Sequence, residues 1–251
     1  MKKQPLLNTY VNNLDMQETI LLISRMIEEK KKSFVVAVNV DVIMKIESDN
    51  ILKRIVDNAD IVIVDGKPLV WISKFYKKQV KEKISGSDLV PELCSKAAEK
   101  GYSIYIIGGA EGVAEKARVN LEKWYPGINI VGTYAPPYGF ETDKKELEKI
   151  NLKISEKHPD LLISCFGCPK QEKFIYNNYY KYNATVSICA GATVDFIAGN
   201  VKRAPKWMSD IGLEWFYRFL QEPGRMFKRY FIDDIKILPL ILKYHPNRNK
   251  K

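Results

Sequence analysis

The sequence predicts an α/β protein: a Rossmann-like parallel sheet with helices on both faces, followed by a helical C-terminal appendage. Three observations predict it. Short β-branched apolar runs alternate with longer segments of helical period. Many of those runs end in turn residues. After Asn200 the strand signals stop and a basic, aromatic stretch follows.

The predicted strands lie at 34–38, 61–64, 103–107, 128–131, 161–166 and 186–190, and the amphipathic segments at 16–31, 49–58, 68–78, 88–100, 111–125, 143–157 and 170–181. Strand followed by helix, repeated in this way, implies parallel strands covered on both faces. The strands run into Asn39, Asp65-Gly66, Gly108-Gly109, Gly167 to Pro169, and Gly191. The carboxyl ends of strands in an open parallel sheet form its ligand crevice, so these turns are expected to face one cleft. Residues 1–200 are assigned to this α/β catalytic core and 201–251 to the appendage. In the appendage, helical segments are predicted at 211–220 and 225–244, with Pro223 in the first turn of the second and Pro239 kinking or ending it.

The charge is unevenly placed. Residues 202–251 hold twelve Lys and Arg against five Asp and Glu, and so carry +7 of the net +10, together with nine of the 28 aromatics. Cations interleaved with aromatics suit an anionic partner with an apolar part, such as a lipid headgroup, better than nucleic acid. No secretory signal is predicted, because the stretch 6–15 is polar. The apolar run 237–242 is far too short to cross a bilayer. The expected location is the cytoplasm, peripherally on the inner face of the plasma membrane.

Cys165-Phe-Gly-Cys168 has the spacing of half a zinc site, but there are only four cysteines and two histidines in the chain, and structural thiols are the expected reading. Asp-x-Asp, a spacing that holds divalent cations in many nucleotide-sugar enzymes, does not occur; the nearest approach is Glu47-Ser-Asp49. No metal and no other cofactor is therefore expected, and charge on a leaving nucleotide would fall to Arg or Lys.

Each motif has a structural reading beside a functional one. Asp65-Gly66 is either a strand-ending turn or a carboxylate placed to take a proton from an incoming hydroxyl. Gly108-Gly109 is a tight strand-to-helix turn or a phosphate cradle. Ser87 or Asp88 is expected to cap a helix whose start, with Lys83 nearby, also suits an anion. Lys170, Gln171 and Glu172 open a helix after Pro169, where they could hold a ribose, a phosphate or a sugar. Asp195 is a first-turn carboxylate or an acceptor for a uracil or ribose. In the appendage, Arg218, Arg225 and Arg229 form a solvated basic face or grip a diphosphate, and Arg225 and Arg229 are one turn apart.

Taken together these stretches resemble the WecG/TagA/CpsF family of bacterial glycosyltransferases. The matching residues run in order: Val38-Asn39, Asp65-Gly66, Gly86-Ser-Asp88, Ile107-Gly-Gly109, Tyr125-Pro-Gly127 with Val131-Gly-Thr133, Gly167-Cys-Pro-Lys-Gln-Glu172, Gly191-Ala-Thr-Val-Asp-Phe-Ile-Ala-Gly199, Arg203-Ala-Pro205, Gly212-Leu-Glu-Trp215, Arg218, Glu222-Pro223 and Arg225. The resemblance implies transfer of a sugar, often N-acetylmannosamine, from its UDP derivative to polyprenyl-diphosphate-linked N-acetylglucosamine, in wall teichoic acid or surface polysaccharide synthesis. It implies that Asp65 is the base, and that the appendage closes over the site and meets the membrane. Ala37 stands where Thr is common in that pattern, Lys83 where Arg is common, and Ser85 in place of Thr, which leaves the donor sugar open.

The expected mechanism is inverting. Asp65 takes the proton of the attacking hydroxyl, while Arg218 and Arg225 stabilise the leaving diphosphate. Substrate contacts are expected from Asn39, Lys83, Ser87, Asp88, Gly108, Gly109, Gln171, Glu172, Asp195, Arg203 and Arg229. The rival readings are the same fold with another UDP-hexose donor, a non-catalytic nucleotide- or nucleic-acid-binding module, and an oxidoreductase, which would need the glycine fingerprint this chain lacks. Whether the chain forms a homo-oligomer is left open.

Overall fold

The computed structural model describes residues 2–246. Six parallel strands form the central sheet: β3 (Ser33–Val38), β4 (Ile61–Val64), β5 (Ser103–Gly108), β6 (Asn129–Tyr134), β7 (Leu161–Cys165) and β8 (Val186–Cys189). Their spatial order is β4-β3-β8-β7-β5-β6. The alternation of a pleated strand divides the core in two: Phe34, Val36, Val62 and Val64 pack on one face, and Val35, Ile61 and Ile63 on the other. Every predicted strand is present within a few residues, and the predicted helices are Met16–Glu28, Asn50–Asp57, Lys67–Phe75, Gly86–Lys100, Val113–Trp124, Lys144–Lys157 and Lys170–Asn178.

Two features were missed by the sequence reading. The polar stretch near the N-terminus forms an antiparallel hairpin, β1 (Lys3–Leu6) with β2 (Thr9–Asn12). It shields the open edge of the sheet: the Asn12 side chain accepts the Val62 N–H at 2.7 Å, and the Tyr10 hydroxyl donates to the Ala59 carbonyl at 2.8 Å. The second is helix Val40–Ser48, whose Val42, Ile43 and Ile46 are buried against the core. Asn39 caps it by accepting the Val42 N–H at 3.1 Å.

The helix Gly86–Lys100 is capped by Ser85, not by Ser87 or Asp88. The Ser85 Oγ accepts the Asp88 N–H at 3.1 Å and donates to Asp88 Oδ2 at 2.6 Å, so that Asp88, three residues inside, completes the cap.

From Lys206 onward the described residues are helical: Lys206–Asp210, Glu214–Gln221, Pro223–Phe227, a π-turn segment Lys228–Asp233, a 3-10 turn Asp234–Lys236, and Ile237–Lys243. Pro223 opens its helix as expected. Pro239 does not break one: the interruption falls at 228–236, and Pro239 sits in the first turn of Ile237–Lys243, where its missing N–H has no partner to lose. No helix among the described residues is long and apolar enough to cross a membrane.

The appendage is tied back to the core. Ile237 and Leu240 join the buried cluster, the Tyr76 hydroxyl donates to the Ile241 carbonyl at 2.7 Å, and Lys243 pairs with Glu47 at 2.5 Å. Gly212 seats it on helix Lys67–Phe75: a Cβ there would stand 3.0 Å from the Trp71 ring, and the backbone has φ +86°.

Candidate active site

The carboxyl ends of β3, β4 and β8 open onto two adjoining cavities. The outer one, of about 390 Å³, lies between the core and the appendage. Asn39, Asp65, Lys67 and Lys83 form its core side, and Glu214, Trp215, Arg218, Arg229, Tyr230 and Asp234 its appendage side. The inner one, of about 160 Å³, is lined by Ala37, Asp41, Ser87, Gln171, Glu172 and Gly191 among others. Asn39, Asp65, Arg218 and Arg229 border both, so they stand at the seam.

Asp65 is positioned by β4 and oriented by Asn39. The Asn39 Oδ1 is occupied in capping helix Val40–Ser48, which turns its Nδ2 toward Asp65 Oδ2 at 3.4 Å. Burial pushes the Asp65 carboxyl up to about 6; the Lys83 charge and the Asn39 hydrogen bond oppose the rise, while Glu214 and Asp88 add to it. A carboxylate tuned to that range is ionised near neutral pH and basic enough to accept a proton.

Lys83 is held at the mouth by Asp88 at 2.8 Å and Glu214 at 3.8 Å. Burial opposes its charge, but these acids keep it above its ordinary value. Burial opposes the charge of Asp88 too, yet hydrogen bonds from Lys83, Ser85 and Arg203 hold that carboxyl well below the usual range. Arg203 pairs with Asp88 at 2.6 Å and donates to the Ser87 carbonyl at 3.0 Å. Lys83 therefore reaches the outer cavity, whereas Asp88 and Arg203 line neither cavity and brace its rim.

The Arg218 guanidinium stacks over Phe196 at 5.6 Å, and its buried Nε has no hydrogen-bond partner among the described residues. Arg229 lies 3.7 Å from Asp234 and 4.0 Å from Asp41. Arg225 belongs to helix Pro223–Phe227, but its side chain is outside what is described, so its catalytic role and the face it was expected to share with Arg229 are open.

At the inner cavity, the Gln171 Oε1 accepts the Gly191 N–H at 2.9 Å and its Nε2 donates to Glu172 Oε1 at 2.8 Å. Ser87 borders this cavity and contacts Thr193 at 3.2 Å through its hydroxyl. Gly108, Gly109 and Asp195 line neither cavity. Gly108 is required by packing: its φ is +117°, and a Cβ would fall 2.5 Å from the Cys165 carbonyl oxygen. Gly109 is crowded by Val113 and Val194, and Asp195 lies in the short helix Thr193–Ile197 with its carbonyl accepting the Asn200 N–H. The cysteines are free thiols, three of them buried.

Sequence reasoning missed Glu214, Asp41 and Asp234. Glu214 falls within the Gly212 to Trp215 stretch already singled out, but nothing local pairs it with Lys83, 131 positions earlier. Burial pushes Asp234 up to about 6 despite Arg229, with Asp41 adding to the rise. That coupling joins the appendage to helix Val40–Ser48 and is not visible from spacing.

A basic-rimmed cleft at the carboxyl edge of a parallel sheet, with a tuned carboxylate at its centre, suits transfer of a group to an incoming hydroxyl as an anionic leaving group departs. The chain belongs to the glycosyl transferase WecG/TagA/CpsF family, whose model matches residues 4–251. It is 29% identical over 240 residues, 93% of this chain and 90% of the relative, to a protein of Bacillus spizizenii (strain ATCC 23059 / NRRL B-14472 / W23) named N-acetylglucosaminyldiphosphoundecaprenol N-acetyl-beta-D-mannosaminyltransferase. A protein of the same name from Bacillus subtilis (strain 168) is 31% identical over 199 residues, 79% of this chain and 75% of the relative. The chain is a glycosyltransferase.

Proposed function

We propose that this glycosyltransferase moves N-acetylmannosamine from its UDP derivative to polyprenyl-diphosphate-linked N-acetylglucosamine, with inversion and without a metal, in wall teichoic acid or surface polysaccharide synthesis. The names of the two Bacillus relatives support the sugar and the acceptor. The observation that carries the mechanism is the position of Asp65 at the seam of two cavities.

An acceptor hydroxyl entering from the outer cavity meets Asp65, which takes its proton as the oxygen bonds to the sugar C1. The bond from C1 to the UDP oxygen breaks on the opposite face. Arg218 and Arg229, bordering both cavities, stabilise the diphosphate charge as it develops, the part a cation plays in other enzymes. Asn39 and Gln171 position the donor, and Lys83 keeps the Asp65 carboxyl from rising further.

The appendage serves as lid and membrane contact. Trp207, Ile211, Leu238 and Leu242 are each more than half exposed, on a stretch rich in Lys and Arg. Aromatic and aliphatic side chains of this kind enter the headgroup layer while cations meet anionic lipid. Incubating the protein with a panel of UDP-sugars and a lipid-diphosphate-GlcNAc analogue, with product mass detected, tests donor, acceptor and reaction class together. A mass gain of one N-acetylhexosamine residue from UDP-N-acetylmannosamine is expected; no product from any donor overturns the reading. Truncation before Trp207 is expected to abolish sedimentation with anionic vesicles, and unchanged sedimentation overturns the docking role.

A further inference from the structure

Glu172 is fully buried on helix Lys170–Asn178, yet it borders the inner cavity. Its Oε1 accepts from Gln171, and its Oε2 has no hydrogen-bond partner among the described residues. The Lys45 ammonium, whose charge favours the ionised form, is itself engaged by Asp41 at 2.7 Å and the Cys168 carbonyl at 2.8 Å. Gln171, the residue's own backbone N–H and the Cys168 thiol favour the ionised form, but the loss of hydration outweighs what these neutral donors return. Burial accordingly pushes the group above the ordinary glutamate value, and the neighbouring thiols of Cys168 and Cys189 are poor donors. A neutral carboxyl has one O–H, and no hydrogen-bond partner for Oε2 is present among the described residues.

The surroundings say what would. Gln171 Oε1 accepts from Gly191 and keeps a second lone pair. Ala37, Val42 and Ala192 give the same small cavity an apolar wall. One donor, one acceptor and a methyl-sized apolar surface together match an acetamido group, whose carbonyl accepts, whose N–H donates and whose methyl needs a dry wall.

We infer that Glu172 is a specificity-determining residue that reads the 2-acetamido group of the donor sugar, giving its Oε2–H to the acetamide carbonyl while Gln171 receives the acetamide N–H. The inference rests on the UDP-sugar reading above and deepens it. A sugar with a plain 2-hydroxyl would leave the carboxyl O–H and part of the cavity unfilled. Discrimination of roughly 10- to 100-fold follows.

The test compares binding of UDP-N-acetylmannosamine, UDP-mannose and UDP by calorimetry to the full-length protein, to Glu172→Gln and to Glu172→Leu. Glutamine must keep its oxygen toward Gln171 and so presents a permanent N–H donor where Oε2 stood; leucine keeps the volume and presents none. Wild type and Glu172→Gln are expected to favour the N-acetyl sugar at least tenfold, and Glu172→Leu to fall within about threefold while UDP affinity holds. Absence of the preference in wild type, or its loss in Glu172→Gln, overturns the inference, and the second result decides the matter even if the leucine variant fails to fold. So does an undiminished preference in a folded Glu172→Leu. Binding with the expected preference but without transfer sinks the catalytic reading alone; transfer without the preference sinks this one alone.

Discussion

Replacing Asp65 with Asn should separate chemistry from stability in opposite directions. The substitution keeps shape and the contact with Asn39 but removes the proton acceptor. A positioned general base contributes about 10²- to 10⁴-fold, so kcat should fall by that factor, equivalent to about 3–5 kcal/mol of barrier. Stability should move the other way. The folded-state carboxyl sits at about 6 against 3.8 for a free aspartate. The folded state therefore holds the proton more tightly than the unfolded chain, and stability is full below about pH 4, declines as pH rises to about 6, and stays reduced above it. The difference corresponds to about 3 kcal/mol at neutral pH. Asn does not ionise, so the variant should melt roughly 5–10 °C higher at pH 7.5 and lose that advantage near pH 4. Melting curves at the two pH values and a single-turnover transfer assay measure both effects. Turnover within about threefold of wild type, or a variant that melts lower at pH 7.5, refutes the reasoning.

The same carboxyl should give kcat/KM an acid limb near pH 6, since only the ionised form accepts a proton; Lys83→Met, which removes the opposing positive charge, should move that limb up by about one pH unit in a pH–rate profile. Arg218→Ala should lower kcat by roughly 10²- to 10³-fold in steady-state assays, because a diphosphate charge would then develop beside a cavity wall with one guanidinium fewer. Transfer should be indifferent to EDTA in metal-free buffer, and a tenfold recovery on adding Mg²⁺ would count against the arginine mechanism. Gly108→Ala should destabilise the fold by about 2–3 kcal/mol in urea titration, from the backbone clash at Cys165 together with the positive φ.

The sheet was legible because its strands are buried on both sides and so read as apolar runs bounded by turn residues. The hairpin was not, because its hydrophobic residues, Leu6, Tyr10 and Val11, are interleaved with polar ones whose role is to bond a neighbouring edge. Helix Val40–Ser48 could have been found from Asn39 followed by Val42, Ile43 and Ile46. Its start was hidden by the preceding strand, which runs into it with no Gly or Pro. In the site, Asn39, Asp65, Gln171 and Arg218 were readable because each follows a strand or sits on a conspicuous basic segment. The pairing of Lys83 with Glu214, and of Arg229 with Asp41 and Asp234, depends on how the appendage folds back, which no local pattern encodes. Gly108 misled for a related reason: a glycine that lets two strands approach looks the same in sequence as one that makes room for phosphate.

The outer cavity takes more than half of its boundary from residues after 208, the same stretch that carries the exposed aromatic surface. If the appendage docks on the membrane as proposed, dryness around the reacting carbon and attachment to a greasy boundary are supplied by one length of polypeptide. A molecule adrift from that boundary, with this flap displaced, would face its key acid toward bulk water. On that proposal, waste of activated sugar by hydrolysis would be guarded against by geography, since the reaction vessel would be complete only where the second reactant resides.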